Sequence, residues 1–358
     1  MKKMKRILAA MLIVLLAAQI MVPVFAEESE PSNAFQVLFS GIDNRGPLIP
    51  ESNTDANIII TVNTDTKQIL LVHIPRDYYV EAEDGTKDKL TNHGLKGIDS
   101  VLWAVNSFFE AEIQYYLRFN FQGFIDFIDA MGGIDVESEY TFSVGDYHYV
   151  KGMNHLNGSQ ALAFARERKS FKIGDRQRGR DQMLLMKAGI KAFTSGNALN
   201  DYAAILEMTR GCLETNVSYS YITRMLGAQL DSKAEWNVVM TSVDGTDSSS
   251  GSAYVMEPDM ETVKKAQDLM QRVLDGEILD QEKDAPYHQD AGALDFADKE
   301  YIKRVQTALN EAGYDCGEPD GIVGSRTKDA IRAYQEASGL DVTGIIGREL
   351  VKSLGVDN

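Results

Sequence analysis

Residues 57–74 read NIIITVNTDTKQILLVHI, two runs of aliphatic and β-branched residues on either side of a turn-like segment at 63–67. A third apolar run, FQVLF, lies at 35–39. Runs with so little polar alternation are typical of central strands that are covered on both faces. The sequence therefore predicts three central strands of one sheet, at 35–39, 57–62 and 68–74.

Further helices and strands alternate along the chain around these runs. Apolar patterning predicts helices at 96–110 and 121–131 and strands at 115–120 and 134–137. Alternation of this kind indicates an α/β fold with three layers, α/β/α, around a central mixed sheet. Beyond the middle of the chain we expect helices at 200–213, 218–231 and 260–274 and a strand at 236–241.

The N-terminus has the pattern of an export signal. The first six residues carry four positive charges, residues 7–22 are apolar apart from Gln19, and Val24 and Ala26 are small residues just before Glu27. Residues 1–26 are therefore a secretory signal or an uncleaved membrane anchor of the same polarity. The apolar run is shorter than the ~20 residues that span a bilayer comfortably, which favours cleavage. In both cases we expect an exported protein that works outside the cytoplasm, at the membrane surface or the cell wall.

The composition limits the class of protein. The chain has 358 residues, 44% of them hydrophobic, which allows about two globular domains. Its formal net charge is −17, which argues against a nucleic-acid partner because such binding needs a basic surface. The two cysteines, Cys212 and Cys316, lie far apart, and we expect buried or free thiols instead of a disulfide.

Residues 164–191 form a cationic segment in this acidic chain. They hold nine Lys or Arg residues against three acids, a local charge of +6. A general polyanion binder would be basic over a larger surface, so the segment indicates a specific anion site. The alternative is a solvated surface crossed by salt bridges.

Two helices are expected within and just before the cationic segment. Residues 156–165 predict a short helix with Asn157 as its N-cap. Arg166 and Arg168 follow it, and their spacing puts both side chains on one side only if that segment is extended. A second helix is expected from Arg178, with Gln182 one turn later, and a helix N-terminus beside arginine side chains suits phosphate or pyrophosphate. Its apolar stripe would be Met183, Met186, Ile190 and Phe193.

Aspartates stand at the ends of the first three predicted strands. Asp43 follows the first, Asp55 precedes the second, and Asp77 follows the third, next to Arg76. Ligand sites of α/β folds gather in loops at strand ends, so these residues are candidates for one site. Two carboxylates together with phosphate oxygens suit Mg²⁺. The alternative is that each aspartate caps a turn and that Arg76 is a packed surface residue.

An ordered series of motifs between residues 35 and 275 resembles the LytR-CpsA-Psr family. The motifs are Gly41-Ile42-Asp43, Thr54-Asp55, Ile74-Pro75-Arg76-Asp77-Tyr78-Tyr79-Val80, Lys89-Leu90-Thr91-Asn92, YLRFNFQGF at 116–124, DAMGGIDV at 129–136, Leu156-Asn157-Gly158, and Ala165-Arg166-Glu167-Arg168 with Gly174-Asp175 and 178–182.

The resemblance implies a phosphotransferase that moves an anionic glycopolymer, such as teichoic acid or capsule, from a polyprenyl pyrophosphate carrier to peptidoglycan through a phosphodiester. It also implies Mg²⁺ at Asp55 and Asp77. Asp43 and Asp77 are the candidates for the base that accepts the proton of the acceptor hydroxyl. The pyrophosphate would be held by Arg76, Arg166, Arg168, Arg178 and Gln182.

One position departs from the family pattern. The family commonly has Arg-Ser-Asp before the second strand, whereas this chain has Asn53-Thr54-Asp55. Arg45 is a candidate to supply the missing charge. The departure implies either altered substrate geometry or weakened activity. The lipid needs an apolar cleft, which the phenylalanines could line or which they could instead fill as ordinary core: Phe108, Phe109, Phe121, Phe124 and Phe127.

The C-terminal part changes character. The domain over 35–275 follows a polar leader at 27–34 and is followed by an acidic, aperiodic linker at 276–296. Residues 297–358 contain two similar segments, DGIVG at 320–324 and TGIIG at 343–347, each near a helix. This part resembles the three-helix peptidoglycan-binding domain of cell-wall enzymes. Asp320, Arg326 and Gln335 are candidate wall contacts, or alternatively ordinary caps and polar residues of a helix face.

Three functions remain from the sequence. The first is the wall-polymer ligase described above. The second is a DNA-binding regulator, which the export signal, the net charge of −17 and the lack of a helix-turn-helix pattern contradict. The third is a catalytically weak protein that binds lipid pyrophosphate at the wall and regulates, for which Asn53 is the reason.

Overall fold

The computed structural model describes residues 32–45, 47–171, 174–194, 213–217, 234–251, 253–286, 299–340, 342, 344, 346 and 348–356. These residues divide into two compact units. The first takes its residues from 1–134, 156–162 and 182–287, and the second from 135–155, 163–181 and 288–358.

The first unit is built on a six-stranded sheet. Its strands are β1 (Ala34–Ile42), β2 (Thr54–Asn63), β3 (Gln68–Ile74), β6 (Tyr115–Asn120), β11 (Leu213–Thr215) and β12 (Asn237–Ser242). They lie side by side in the order β11-β6-β1-β2-β3-β12. The sheet is mixed, because β1 and β2, β2 and β3, and β6 and β11 run antiparallel, while β1 and β6, and β3 and β12, run parallel.

Helices cover both faces of this sheet. On one face, Leu38, Ile59 and Leu70 pack against α2 (Ile98–Phe109) and α6 (Met260–Leu274). On the other face, Ile58 and Leu71 pack against Met183 and Ile190 of α5 (Gly174–Thr194). Alternate residues of the strands thus enter different apolar cores, which is why the central residues of β2 and β3, at 58–60 and 69–72, are apolar on both faces. The predicted α/β/α layers around a mixed sheet are confirmed.

Most predicted elements lie within a few residues of their expected bounds. The helix at 121–131 is α3 (Phe121–Ala130), and the predicted helix at 96–110 is α2. A short helix, α1 (Leu90–His93), and a 3₁₀ turn at Gly94–Lys96 precede α2. The helices expected at 200–213 and 218–231 lie outside the described residues except for Leu213, which begins a strand. The first unit also has two hairpins that the sequence did not indicate, β4 (Tyr79–Glu81) with β5 (Lys87–Lys89) and β13 (Gly245–Ser250) with β14 (Ala253–Pro258). A short helix, α7 (Gln281–Asp284), follows α6.

The middle part of the second unit is held by aromatic rings. Here β7 (Ile134–Ser138) pairs with β10 (Gly152–Leu156), and β8 (Phe142–Val144) pairs with β9 (Tyr147–Tyr149). The ring of Phe142 lies 4.7 Å from Tyr149, 5.4 Å from Phe164 and 5.0 Å from Phe171, measured between centroids. Phe164 is in α4 (Gly158–Arg166) and Phe171 follows it, so these rings fix the cationic segment to the hairpin.

The C-terminal residues form the three expected helices: α8 (Lys299–Glu311), α9 (Ser325–Ala337) and α10 (Arg348–Ser353). Their apolar core includes Val305, Leu309, Ile331 and Leu350. The two similar glycine segments are tied to these helices in the same way. Gly321 N donates to Oε1 of the buried Gln306 in α8, and Gly344 N donates to Oε1 of the buried Gln335 in α9, each at 2.8 Å.

Two further expectations concern the cysteines and the membrane. Cys316 is buried and free of a disulfide, whereas Cys212 lies outside the described residues. Within the part of the chain that the structure describes, no helix combines the length and the apolar character that crossing a bilayer requires.

Candidate active site

The three predicted strand-end aspartates lie along one edge of the sheet. Because β2 is antiparallel to both neighbours, its start lies beside the ends of β1 and β3, with Gly41 opposite Ala56 and Asn57 opposite Ile74. Asp43, Asp55 and Asp77 therefore leave the sheet at the same edge. The antiparallel pairing, which the order of residues alone does not give, brings them together.

A β-bulge directs Asp55. Gly41 pairs with Ala56 but the next residue, Ile42, pairs with Thr54, so Asp55 is the extra residue of β2. A bulge changes the direction of the side chain that it carries. The Thr54 hydroxyl below it is buried and donates to Asn57 Oδ1 at 2.6 Å, which holds the start of β2 in place.

Four side chains of alternating charge form a chain of ion pairs at this edge. Arg76 Nη1 lies 2.8 Å from Asp55 Oδ1, and Arg76 Nε lies 3.6 Å from Asp77 Oδ2. Lys89 Nζ lies 2.9 Å from Asp77 Oδ1. Only 11% of the Asp77 side chain is exposed, so this carboxylate depends on both cations to offset its desolvation.

Backbone hydrogen bonds keep this ion-pair chain in position. Thr91 N donates to Arg76 O at 2.9 Å, Leu90 N to Tyr78 O at 2.8 Å, and Met256 N to Asp77 O at 2.8 Å. The segment that carries Arg76 and Asp77 is thereby joined to the start of α1 and to β14. A site held by ordered backbone needs little rearrangement when a substrate binds.

The loop after β1 carries the other candidates of the first unit. Asp43 N donates to Asn53 O at 3.2 Å, which closes the loop, and Asp43, Arg45 and Asn53 are all exposed. The buried guanidinium of Arg118 donates to Pro50 O at 2.7 Å and also pairs with Glu214. The Asp43 side chain makes no ion pair within the residues that the structure describes. Of the two candidate bases, Asp43 is therefore the one whose carboxylate is not already shared between cations.

The second unit brings two of the predicted arginines together. Asp175 accepts from Arg168 Nη1 at 3.3 Å through Oδ1 and from Arg178 Nη2 at 3.0 Å through Oδ2. The Arg178 side chain is 11% exposed and that of Arg168 48%. One carboxylate thus sets the spacing of two guanidinium groups, which is the kind of paired cation that a pyrophosphate recognises.

The helices around these arginines differ in part from the prediction. Asn157 caps α4 as expected, since its Oδ1 accepts from Gln160 N at 2.9 Å while Gln160 Oε1 accepts from Asn157 N. Arg166, however, is the last residue of α4 and does not lie in an extended segment. Helix α5 begins at Gly174, so Arg178 lies in its second turn and not at its N-terminus. Gln182, half-buried, belongs to the first unit.

A buried acidic residue, Asp181, follows the arginines in α5. Burial raises the pKa of its carboxyl well above the ordinary value, and a hydrogen bond from Gln177 Nε2 at 3.0 Å lowers this pKa only in part. Gln177 Nε2 also donates to Glu139, which pairs with Arg180. This cluster fixes the first turns of α5 to Glu139, the residue that follows β7.

The candidate phenylalanines do not share one cleft. Phe108 and Phe109 belong to the core with α2 and α6, where Phe108 contacts Tyr78 at 5.8 Å between centroids. Phe127 of α3 instead contacts Phe119 at 5.6 Å, and Phe119 contacts Phe39 of the opposite core. Phe121 and Phe124 are half-buried. The alternative of ordinary core therefore describes Phe108, Phe109 and Phe127.

The three C-terminal candidates all have partners within their own domain. Asp320 Oδ1 accepts from Gln306 Nε2 at 3.0 Å and from Ile322 N at 2.8 Å, and these bonds lower the pKa of its carboxyl. Arg326 is exposed and pairs with Asp315. Gln335 is buried against Gly344. Of the three, Asp320 and Arg326 lie at the surface.

Two residues were missed as site residues in the sequence. Lys89, whose ammonium pairs with Asp77, lies in the Lys89-Leu90-Thr91-Asn92 motif, but the sequence does not indicate a role for it. Asp175, which joins Arg168 and Arg178, stood in the Gly174-Asp175 motif. Their position in motifs was the available signal, whereas their contacts follow only from the fold.

The residues suitable for a metal are the two carboxylates around Arg76. Among the described residues, no group of three or more His, Cys, Asp or Glu side chains is gathered as a metal site. Asp55 and Asp77 provide hard oxygen donors on either side of one guanidinium. Mg²⁺ commonly relies on one or two carboxylates and completes its ligands with substrate phosphates and water, so this donor set fits Mg²⁺.

Comparisons with known proteins find relatives of both parts of the chain. The model of the LytR_cpsA_psr family matches residues 17–272, and that of a peptidoglycan binding domain, PG_binding_1, matches residues 298–354. The Bacillus anthracis polyisoprenyl-teichoic acid--peptidoglycan teichoic acid transferase TagU is 32% identical over 235 residues, which cover 65% of this chain and 77% of the relative.

Solved structures share the fold. The crystal structure of B. subtilis TagV is similar with a TM-score of 0.57 and 29% identity, covering 68% of this chain and 97% of that one. TagT bound to LI-WTA has a TM-score of 0.57 and 23% identity, covering 70% of this chain and 95% of that one, and is evidence for the fold alone. With a family model over most of its length and a relative at 32% identity, this chain belongs to the LytR_cpsA_psr family.

Proposed function

We propose that this protein is a phosphotransferase that moves an anionic glycopolymer, of the teichoic acid type, from a polyprenyl pyrophosphate carrier to peptidoglycan. The observation that carries the proposal is the chain of ion pairs Asp55–Arg76–Asp77–Lys89 at the strand-end edge. The name of the TagU relative, a polyisoprenyl-teichoic acid–peptidoglycan teichoic acid transferase, supports the substrates. The peptidoglycan-binding domain at 298–354 supports the acceptor.

In the reaction, an acceptor hydroxyl attacks the phosphorus that carries the glycopolymer. The bond between this phosphorus and the bridging oxygen breaks, a phosphodiester to the acceptor forms, and polyprenyl phosphate leaves. Arg76 and Lys89 would bind and neutralise the phosphate oxygens, for which they must give up part of their contact with Asp55 and Asp77. Fixed cations at developing negative charge commonly contribute ~10²–10³-fold to such a step.

The remaining roles follow from the same geometry. Asp43 would take the proton of the attacking hydroxyl, because its exposed carboxylate is not committed to a cation among the described residues. In the second unit, Arg168 and Arg178, set by Asp175, would bind pyrophosphate, with Arg166 as a further candidate. In the first unit, Gln182 remains a candidate for the same role. When bound, Mg²⁺ would draw negative charge from the phosphates, and Asp55 and Asp77 are the residues that would hold it. Arg45 would supply the charge that Asn53 lacks.

The proposal includes a location. Residues 1–26 would direct export, and the polyprenyl carrier would keep the protein at the outer face of the cytoplasmic membrane. The C-terminal domain would bind the wall, with Asp320 and Arg326 as surface contacts. Gln335, buried against Gly344, would support that surface from inside.

A transfer assay tests this function. The purified chain is mixed with a labelled polyprenyl-pyrophosphate glycan, Mg²⁺ and peptidoglycan oligomers, beside Asp77→Ala. Label that moves to the peptidoglycan only with intact Asp77 supports the ligase. Label that stays on the lipid in both samples contradicts it.

The alternative, a catalytically weak lipid-pyrophosphate-binding or regulatory protein, rests on the neutral, exposed Asn53. Asn53→Arg separates the two functions. Transfer by the parent comparable to that of Asn53→Arg supports the ligase. Lipid binding by the parent with transfer only in Asn53→Arg supports the weak binding protein.

A further inference from the structure

A polar hairpin, β13–β14, is attached to the backbone of Asp77. The two strands pair in continuous register from Gly245 opposite Pro258 to Ser250 opposite Ala253. At the open end of the hairpin, Met256 N donates to Asp77 O at 2.8 Å, and Tyr78 makes a parallel bridge to Met256. Val255 and Met256 are 2% and 3% exposed, so the hairpin is anchored in the core beside the site.

One aromatic residue of this hairpin remains at the surface. Tyr254 is 45% exposed, whereas Val255, the next residue, is buried. Its hydroxyl donates to Asp247 Oδ1 at 3.0 Å, which holds the ring in one orientation. An exposed ring that is fixed in this way loses little conformational freedom when a ligand stacks on it.

Lys89 connects this ring with the reacting site. Its ammonium lies 5.4 Å from the centroid of the Tyr254 ring and 2.9 Å from Asp77 Oδ1. The β4–β5 hairpin supports this arrangement. Tyr79 of β4 pairs with Lys89 of β5, and the Tyr79 hydroxyl lies 3.2 Å from the Ser250 hydroxyl. The same ammonium group therefore joins the Tyr254 ring to Asp77, which belongs to the ion-pair chain of the proposed reaction.

The charge of the hairpin indicates which substrate it receives. Residues 244–259 contain four acids and no Lys or Arg, whereas residues 164–191 carry a local charge of +6. Like charges repel, so an acidic hairpin disfavours the anionic donor polymer. It accepts an uncharged sugar, whose C–H face suits an aromatic ring and whose hydroxyls suit serine side chains. Ser249 stands opposite Tyr254 in the register, and Ser249 and Ser250 are exposed.

We propose that the β13–β14 hairpin is the acceptor subsite, in which Tyr254 stacks on a sugar ring of the peptidoglycan glycan strand. The stacking directs the hydroxyl of that sugar toward Asp77. The inference rests on the proposed function and names the part of the site that selects the acceptor. Arg76 and Lys89 receive the phosphates of the donor. Donor and acceptor are thereby distinguished by charge.

The test measures the KM of the acceptor and the KM of the donor separately. The full chain transfers label from a short-chain polyprenyl-pyrophosphate glycan to peptidoglycan tetrasaccharides of increasing concentration. We expect Tyr254→Ala to raise the acceptor KM about tenfold, which corresponds to about 1.4 kcal/mol of binding, and to leave the donor KM unchanged. Tyr254→Phe, which keeps the ring, restores the acceptor KM to within about threefold of the parent. Ile278→Ala, at a residue of the same unit that is 63% exposed, is the matched control and changes neither constant.

Two results overturn the inference while the proposed function stands. In the first, the parent transfers label and the acceptor KM of Tyr254→Ala stays within twofold of the parent value. The other is a rise of the donor KM instead of the acceptor KM. A parent that binds the lipid but moves no label to peptidoglycan counts against the proposed function itself.

Discussion

The replacement Asp77→Asn tests the ion-pair chain most directly. The amide keeps the volume of the side chain but removes the charge that pairs with Lys89 at 2.9 Å and with Arg76 at 3.6 Å. It also turns one acceptor into an N–H donor that faces a cation. Breaking a buried ion pair by removing one partner costs ~3–5 kcal/mol, whereas an exposed pair contributes ~0–1 kcal/mol.

The expected loss lies between these limits. The side chains of Arg76 and Lys89 are 23% and 21% exposed, so both keep some contact with water after Asp77 is neutralised. We therefore expect the free energy of unfolding to fall by about 2 kcal/mol. Transfer activity should fall further, by ~10²-fold or more, because the amide no longer orients the two cations toward the phosphate oxygens.

Urea unfolding followed by tryptophan fluorescence measures the first quantity. Both tryptophans, Trp103 and Trp236, belong to the first unit, so the signal reports on the unit that contains Asp77. Asp84→Asn is the matched control, since Asp84 pairs with Lys96 at 3.5 Å and both side chains are more than half exposed. Its midpoint and its transfer rate should equal those of the parent. The reasoning is refuted if Asp77→Asn also unfolds and transfers like the parent.

Three further predictions concern other parts of the molecule. Arg178→Ala should weaken binding of the lipid pyrophosphate at least tenfold in a vesicle or micelle binding assay, because a charge-assisted hydrogen bond contributes ~1.5–3 kcal/mol. Arg176→Ala, at an exposed position of the same helix, should bind the lipid like the parent. Gly94→Ala should destabilise the first unit by ~1–3 kcal/mol in urea, because its Cβ would lie 2.3 Å from Ser52 O. Gly189→Ala, with open space around the new Cβ, should instead stabilise by ~0.5–1 kcal/mol. Equal unfolding midpoints of the two variants would contradict this prediction. The pKa of Asp181 is raised, so the folded state retains a proton that the unfolded state loses above about pH 4, and the stability of the protein should fall as the pH rises above that value. Asp181→Asn should remove this pH dependence of thermal unfolding between about pH 4 and 8. An unchanged pH dependence in the variant would assign the effect to another group.

Much of the fold was accessible from local sequence. The runs at 57–62 and 68–74 are mostly apolar because the two faces of β2 and β3 enter different cores, and this pattern is visible without knowledge of the neighbouring strands. The repeated glycine segments at 320–324 and 343–347 likewise predicted two similar turns. Where local signals were weak, prediction failed, as for β11 of three residues and for the serine-rich β13.

The site residues divide in the same way. Strand ends and motifs indicated Asp43, Asp55, Arg76 and Asp77, since acids and arginines beside apolar runs are visible in the chain order. The roles of Lys89 and Asp175 were not visible, because a charged residue near other charged residues has many available partners until the backbone is placed.

The sequence by itself determined the central strands β1, β2 and β3, the position of the cationic segment, and the change of character in the C-terminal part, because these properties depend on neighbouring residues. Only the tertiary structure decided that Asp55 is directed by a bulge, that Lys89 lies between Asp77 and Tyr254, and that Asp175 joins Arg168 to Arg178. Tyr254 is distant in the chain from Lys89 and Asp77, whereas Asp175 lies near both of its arginines. In every case the geometry follows from strand register or helix start, because a shift of one residue would move each side chain to another face.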